Sequence, residues 1–374
     1  MRKRFGFAAL GALTLILSAG CSSSSSDNRP RLRVLHASPD APAVDVLIDD
    51  SVVLSDLAYK QASDYTRVKS GVRNVKVNAA GTSTTVIDED LDLENKSRYT
   101  VIAIDNLASI EALVLLDDYD LSSGRNAAVR VVHGSPSAPA VDVYVVAPDE
   151  GITGATPVLQ NVPFKAVSDW LEAPSGTYRI VITATGSVDS VYNSGPVNLS
   201  RGMKLVLVAV EDVSDDSLVS LIGLADDRGM PNFELTNQQS QVRFGHFSPD
   251  APDVDILADD VIRLSDVPYL AVSDYALYDS GPRNFKVNAT GTQTTVIDAT
   301  PDLVDETDYT VLAVGFLADI EPLILVDERT PPAAGSTLVR LVHASASAGL
   351  VDVYVTEPGA DIGMMPPTFA EFDF

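Results

Sequence analysis

The chain has 374 residues, with 26 Lys and Arg against 52 Asp and Glu, a formal net charge of −26 and an isoelectric point near 4.3. A field of that sign repels phosphate backbones and anionic headgroups, which excludes nucleic acid as a partner and electrostatic adhesion to an anionic bilayer. One cysteine in the whole chain excludes internal disulfides.

Residues 1–21 read as a lipoprotein signal peptide. Arg2, Lys3 and Arg4 form a cationic start, and the apolar run from Phe5 to Leu17 is 13 residues, too short to span a bilayer and right for a secretory signal. It leads into Leu17-Ser18-Ala19-Gly20-Cys21, which resembles a bacterial lipobox, with Ser18 where that pattern prefers leucine. The resemblance implies lipidation at Cys21 and a membrane partner through that anchor. An ordinary cleaved signal with an incidental cysteine is the alternative. Ser22 to Ser26 opens a Ser-rich tether over 22–30 with a reach on the order of 15 to 20 Å. Serine directly after the cysteine resembles the outer-membrane-sorted class, so the expected address is the cell envelope, on the periplasmic or surface face of the outer membrane. Without the three N-terminal cations, 23 basic residues face 52 acidic ones, a mature charge near −29.

Behind the tether one pattern returns four times: HASPDAPAVDV, HGSPSAPAVDV, HFSPDAPDVDI and HASASAGLVDV. Each copy has a histidine (His36, His133, His246, His343), an arginine three residues before it (Arg33, Arg130, Arg243, Arg340) and an aspartate nine after it (Asp45, Asp142, Asp255, Asp352). A second landmark, L-x-acid/amide-apolar-x-aromatic, starts at Leu54, Leu159 and Leu264, in steps of 105 residues, and returns as Phe369 to Phe374. Ser-Asp-Tyr/Trp (Asp64, Asp169, Asp274) and Ser-Gly (Ser70, Ser175, Ser280) follow on the same 105-residue step. Repetition on this scale sets the folding unit. Units two and four carry eight extra residues after the motif, near Pro148 to Thr156 in unit two, so a two-unit block duplicated with a shift of 210 is the simplest history.

Within each unit, apolar residues alternate at period two. In unit one Leu32-Val34-His36, Val44-Val46-Ile48, Val75-Val77, Val86, Tyr99-Val101-Ala103 and Leu113-Leu115 are separated by Gly, Pro, Asn, Asp and Ser, giving about seven short strands. The predicted fold is all-β: tandem immunoglobulin-like antiparallel β-sandwich domains, three complete (31–120, 127–226, 240–328) and a fourth, truncated, over 337–374. In the 210 register Phe374 corresponds to Phe164, in the middle of a unit. Tyr99 and Tyr309, each six residues after a leucine, are predicted tyrosine corners, with Leu205 in that place in unit two.

R-x-x-H-x-S-P-x-A-P-x-V-D-V, with the later Ser-Gly and Tyr-Thr-Val strands, resembles the bacterial and archaeal family of domain of unknown function 4397, over three units and the start of a fourth. The resemblance implies a repeated extracytoplasmic β-domain with no established activity. Unit four departs from the pattern where Ala346 and Gly349 replace the two prolines, which predicts a looser turn.

Strand parity bears on whether the His and Asp form a site. His36 shares its face with Leu32 and Val34 and is predicted to point inward, whereas Asp45 lies between inward valines and is predicted to face outward. Arg33 shares the outward parity, so an Arg-to-Asp pair is expected across a hairpin turned at Pro39 to Pro42. A buried structural histidine, a metal ligand and a catalytic histidine all remain readings of the motif. One His per unit supplies few metal ligands, and neither a G-x-S-x-G elbow nor a second histidine completes a hydrolase site. No catalytic, cofactor or metal residues are therefore assigned. Acidic doublets at unit ends (Asp117-Asp118, Asp226-Asp227, Asp327-Glu328) leave calcium between repeats as one reading and chain-end polarity as the other. Tyr144 and Tyr354, on the outward face, are candidates for stacking on sugars or for packing. The functional expectation is a non-catalytic envelope lipoprotein, a surface binding or adhesion module or spacer with an unknown protein or glycan partner. The alternative is an envelope hydrolase using the repeated His.

Overall fold

A computed structural model describes residues 27–213, 217–226, 231–327, 330 and 332–374; the Cys21 assignment, the signal peptide and most of the tether lie outside them. The first unit contains β1 (Arg31–Ala37), β2 (Val44–Ile48), β3 (Ser51–Leu57), β4 (Thr66–Arg67), β5 (Gly71–Ala79), β6 (Thr85–Leu93), β7 (Arg98–Ile104) and β8 (Glu111–Leu116). The second contains β9 (Asn126–His133), β10 (Val141–Val146), β11 (Leu159–Val162), β12 (Leu171–Pro174), β13 (Gly176–Ala184), β14 (Ser190–Leu199), β15 (Lys204–Glu211), β16 (Val219–Ala225) and β17 (Phe233–Leu235). The third contains β18 (Gln239–His246), β19 (Val254–Ala258), β20 (Val261–Val267), β21 (Ala276–Asp279), β22 (Gly281–Pro282), β23 (Phe285–Ala289), β24 (Thr295–Ala299), β25 (Asp302–Leu303), β26 (Asp308–Val314) and β27 (Glu321–Asp327). A last hairpin pairs β28 (Val351–Val353) with β29 (Phe369–Phe372).

Each of the first three units is a two-sheet sandwich, as the alternation predicts. In unit one the sheets are β4-β1-β7-β8 and β3-β2-β5-β6, and units two and three repeat the plan as β12-β9-β15-β16-β17 with β11-β10-β13-β14, and β21-β18-β26-β27 with β20-β19-β23-β24. Inward-facing Leu32, Val34, Val44, Val46, Val75, Val77, Leu93, Tyr99 and Val101 fill the first core. The Tyr99 hydroxyl accepts from the Glu94 N–H at 3.0 Å and the Tyr309 hydroxyl from the Val304 N–H at 3.1 Å, the corner geometry expected at both positions.

Two expectations are corrected. The ladders are antiparallel except β1 with β7, β9 with β15 and β18 with β26, which run parallel. Nor do β1 and β2 form a hairpin: the chain crosses from one sheet to the other at Pro39 to Pro42. Arg33 and Asp45 are thereby carried to different sheets, and the expected Arg-to-Asp pair does not form.

The outward face of the β4-β1-β7-β8 sheet is buried as well. Leu35, Ala37, Ile102, Ile104 and Leu115 pack against Val132, Val206, Val208, Val210, Ile222 and Leu224 of unit two, in one apolar layer between the units. This explains why β7 and β15 are apolar on both parities, the usual pattern of a strand covered on two sides. Gly134 fits closely against β15 of its own unit: a Cβ there would sit 3.0 Å from the Ala209 carbonyl oxygen and 3.2 Å from a Val208 methyl. The eight extra residues of unit two also have a place, since Ile152 and Ala155 cover Tyr144, Val146 and Val181 on the outside of β10 and β13. Tyr144 is buried beneath them, which removes it as a sugar platform.

Candidate functional site

The repeated histidine is a latch on its own loop. His36 is fully buried, its Nε2 is 3.0 Å from the Pro42 carbonyl, and its Nδ1 is 3.3 Å from the Ser38 N–H. A carbonyl only accepts, so Nε2 carries the proton and Nδ1 accepts. The bond to the carbonyl six residues on recurs from His133 to Pro139, His246 to Pro252 and His343 to Gly349. Any residue presents a carbonyl, so the fourth latch survives the loss of proline. The second landmark supplies a ring edge-to-face with each imidazole: Tyr59, Phe164, Tyr269 and Phe374, with centroids 6.1, 6.2, 6.2 and 6.2 Å away. Burial pushes the pKa values of His36 and His133 down, favouring the neutral ring.

The aspartate faces away from the core, as parity predicts, and clamps two backbone turns. Asp45 accepts from the N–H groups of Asp56 (2.9 Å) and Gly81 (2.9 Å), one on the strand to each side of β2 or its turn. Both donors have positive φ, 56° and 69°, a conformation that glycine adopts freely and aspartate tolerates. Asp142 repeats the clamp on Asn161 and Gly186, Asp255 on Asp266 and Gly291, and Asp352 retains the bond to Glu371. The Gly81 and Asp56 N–H groups hold the Asp45 carboxyl below the usual carboxylate range, and Asp142 and Asp255 are lowered the same way. The acid-or-amide position of the second landmark is this left-handed donor.

The arginine belongs to the interface between units. Arg33, 2% exposed, donates from Nε to Thr100 Oγ1 (2.6 Å) and from Nη1 to the Ala225 carbonyl of unit two (2.7 Å). Its guanidinium lies over the Tyr65 ring at 4.5 Å, and the Tyr65 and Thr100 hydroxyls both donate to Asp117, 2.7 and 2.5 Å away. Arg130 lies over Trp170 at 4.9 Å and donates to the Leu116 carbonyl of unit one at 2.9 Å. Leu116 pairs with Tyr99 and Ala225 with Leu205, equivalent ladder positions, so each arginine reaches the same point on the other unit. Lysines repeat the exchange: Lys165 binds Asp105 and Glu111, while Lys60 binds Ser220 and Glu234. Units one and two therefore meet as an isologous pair about a pseudo-two-fold axis. The Ser-Asp-Tyr/Trp landmark serves both ends of this arrangement, because the Ser63, Ser168 and Ser273 hydroxyls accept from the Val34, Val131 and Phe244 N–H groups.

The sequence reading missed Thr100 and the role of Asp117. The available signal was an acid recurring 17 residues after a strand threonine, as Asp117 after Thr100 and Asp327 after Thr310. Of the acidic doublets, Asp117 and Asp327 thus already hold protein hydroxyls. No group of three or more His, Cys, Asp or Glu among the described residues has metal-holding geometry. The motif's His, Asp and Arg are brought to three separate places and converge on no common reacting point.

The model of one family, Domain of unknown function (DUF4397), matches residues 30–144 and 240–354. The chain belongs to this family. The two DUF4397 matches are offset by 210 residues, and each runs through an odd-numbered unit into the motif of the next, ending at Tyr144 and Tyr354. No curated protein matches the chain. Among solved structures, it is similar to the Bacillus anthracis TIE protein, with 7% identity, TM-score 0.18, and 76% of this chain and 50% of that one covered. It is also similar to a putative cell adhesion protein from Bacteroides uniformis (10% identity, TM-score 0.19, 56% and 100% covered). A third is the fimbrial anchor protein Mfa2 from Porphyromonas gingivalis (11%, 0.21, 54% and 97%). The chain spans half the length of the first of these.

Proposed function

We propose that this DUF4397 protein is a non-catalytic lipoprotein of the cell envelope, anchored through Cys21, in which paired sandwiches act as a surface binding module or spacer. The observation that carries the reading is the use made of the motif. In each unit the motif's histidine, aspartate and arginine are committed to the fold: histidine to a loop carbonyl, aspartate to turn N–H groups, arginine to a neighbouring unit or strand, while the hydroxyls of Ser38, Ser135 and Ser248 are buried away from solvent without a partner. A catalytic histidine needs a free nitrogen facing a cleft; His36 spends both on backbone, and the one His133 leaves unbonded, Nδ1, is buried. The pairing of units suits a load-bearing array, since a face buried on both sides resists hinging. The N-terminal run with Cys21 supports the envelope address, and the mature charge keeps the array off anionic headgroups beyond its anchor.

Metabolic labelling with a radioactive fatty acid, followed by membrane fractionation, tests the anchor. The expected result is label on the wild-type protein and sedimentation with the outer membrane, both lost in Cys21→Ser. An unlabelled, soluble wild type would overturn the reading. Cross-linking in intact envelopes then separates the two roles: a recovered protein or glycan marks a binding module, and recovery of none marks a spacer.

A further inference from the structure

We propose that the outer face of the β21-β18-β26-β27 sheet is a docking face for the complete sheet of another DUF4397 unit, of the kind unit two presents to unit one. Unit three repeats most of the positions with which unit one buries its outer face: Leu312, Val314, Leu323 and Leu325 stand where Ile102, Ile104, Leu113 and Leu115 stand, 210 residues earlier, while Gly245 and Phe247 replace Leu35 and Ala37. One contact of that interface is already made. Arg340, the counterpart of Arg130, donates to the Val326 carbonyl, the counterpart of Leu116, and to Asp327 at 2.9 Å.

Leu312 and Val314 are buried within the unit, and the strip beside them lies open. Tyr269, Leu270, Val272 and Tyr275 are 45, 61, 48 and 37% exposed, whereas their counterparts Tyr59, Lys60, Ala62 and Tyr65 are half-buried beside unit two. Tyr59 donates to the Glu211 carbonyl at the end of β15, and Asn232, just before β17, reaches the Ser63 carbonyl. The open strip is thus the footprint of β15, β16 and β17. Segment 337–344, which corresponds to β9, is in place without strand neighbours. The occupant is an apolar sheet that pairs with this segment. The rim specifies it further: Glu321 keeps the place of Glu111 and calls for a lysine like Lys165, while Leu270 replaces Lys60 and makes that corner apolar.

The test replaces residues 337–374 of the full chain by a copy of 127–238, the same place in the 210 register, and follows hydroxyl-radical labelling. Tyr269 and Leu270 are expected to lose reactivity about fivefold, and Leu270→Asp in the chimera to restore it. Unchanged reactivity beside a folded graft would overturn the proposal. So would a graft whose tryptophan stays solvent-exposed, because the face would then fail to support a unit that folds against unit one. Concentration-dependent protection of Tyr269 and Leu270 in the unaltered chain would support it as well, with a second copy supplying the sheet.

Discussion

Val208→Asp is expected to divide units one and two into separately melting bodies. Val208 is fully buried in the layer between the two sheets, against Gly134 and the apolar side chains of β1 and β7. The described side chains of that layer are apolar, and burying a carboxylate unpaired among them costs about 4 kcal/mol or more. The side chain points out of unit two's own core, so the loss falls on the interface and each sandwich keeps its interior. Calorimetry of the wild type is expected to show one transition for the pair, and Val208→Asp two, the lower displaced by about 10 °C. Val208→Ala, which removes volume without adding charge, is expected to keep the single transition at a lower temperature. Two transitions in the wild type would mean that the units touch without folding together.

His36→Ala is expected to destabilise unit one by about 3 kcal/mol, combining a cavity with an abandoned Pro42 carbonyl and Ser38 N–H. The pH dependence carries a further signature. Burial lowers the pKa of His36 and His133 from 6.5, so their contribution is fully present above that value and is lost as pH falls below it and through the folded value. The clamps at Asp45, Asp142 and Asp255 have the same sign in a lower window: present above about 3.8, lost as pH falls through the depressed folded values. Wild-type stability, followed by urea unfolding, is expected to decline from pH 6.5 downward, and His36→Ala to lack its share of that decline. An unchanged midpoint in His36→Ala would refute the latch.

Alternation made the sandwich legible, together with the inward histidine, the outward aspartate and the Tyr99 and Tyr309 corners, because period two reports which face a residue occupies. It does not report which sheet a strand joins. The partner of Arg33 was therefore misread: parity placed Arg33 and Asp45 both outward, and only the crossing at Pro39 to Pro42 shows that they point out of opposite sides of the sandwich. The buried outer face was written in Leu35, Ile102 and Ile104, apolar residues on the wrong parity for solvent. In a single unit such residues read as strand propensity, and the unit that covers them starts at β9. The bonds made at left-handed Asp56 and Asn161 were legible only as a conserved spacing between copies, since a bulge leaves no mark on hydropathy.

The claim that the repeated motif is a fastening of the fold is tested most directly by nitrogen NMR of histidine-labelled protein across a pH titration. The account predicts that His36 and His133 are Nε2-protonated neutral rings near pH 6.5, and that they begin to take up a second proton only below the ordinary histidine range, where the fold loosens. A titration at or above 6.5 with the fold intact, or a ring protonated on Nδ1, would contradict it and return the histidines to the candidates for chemistry.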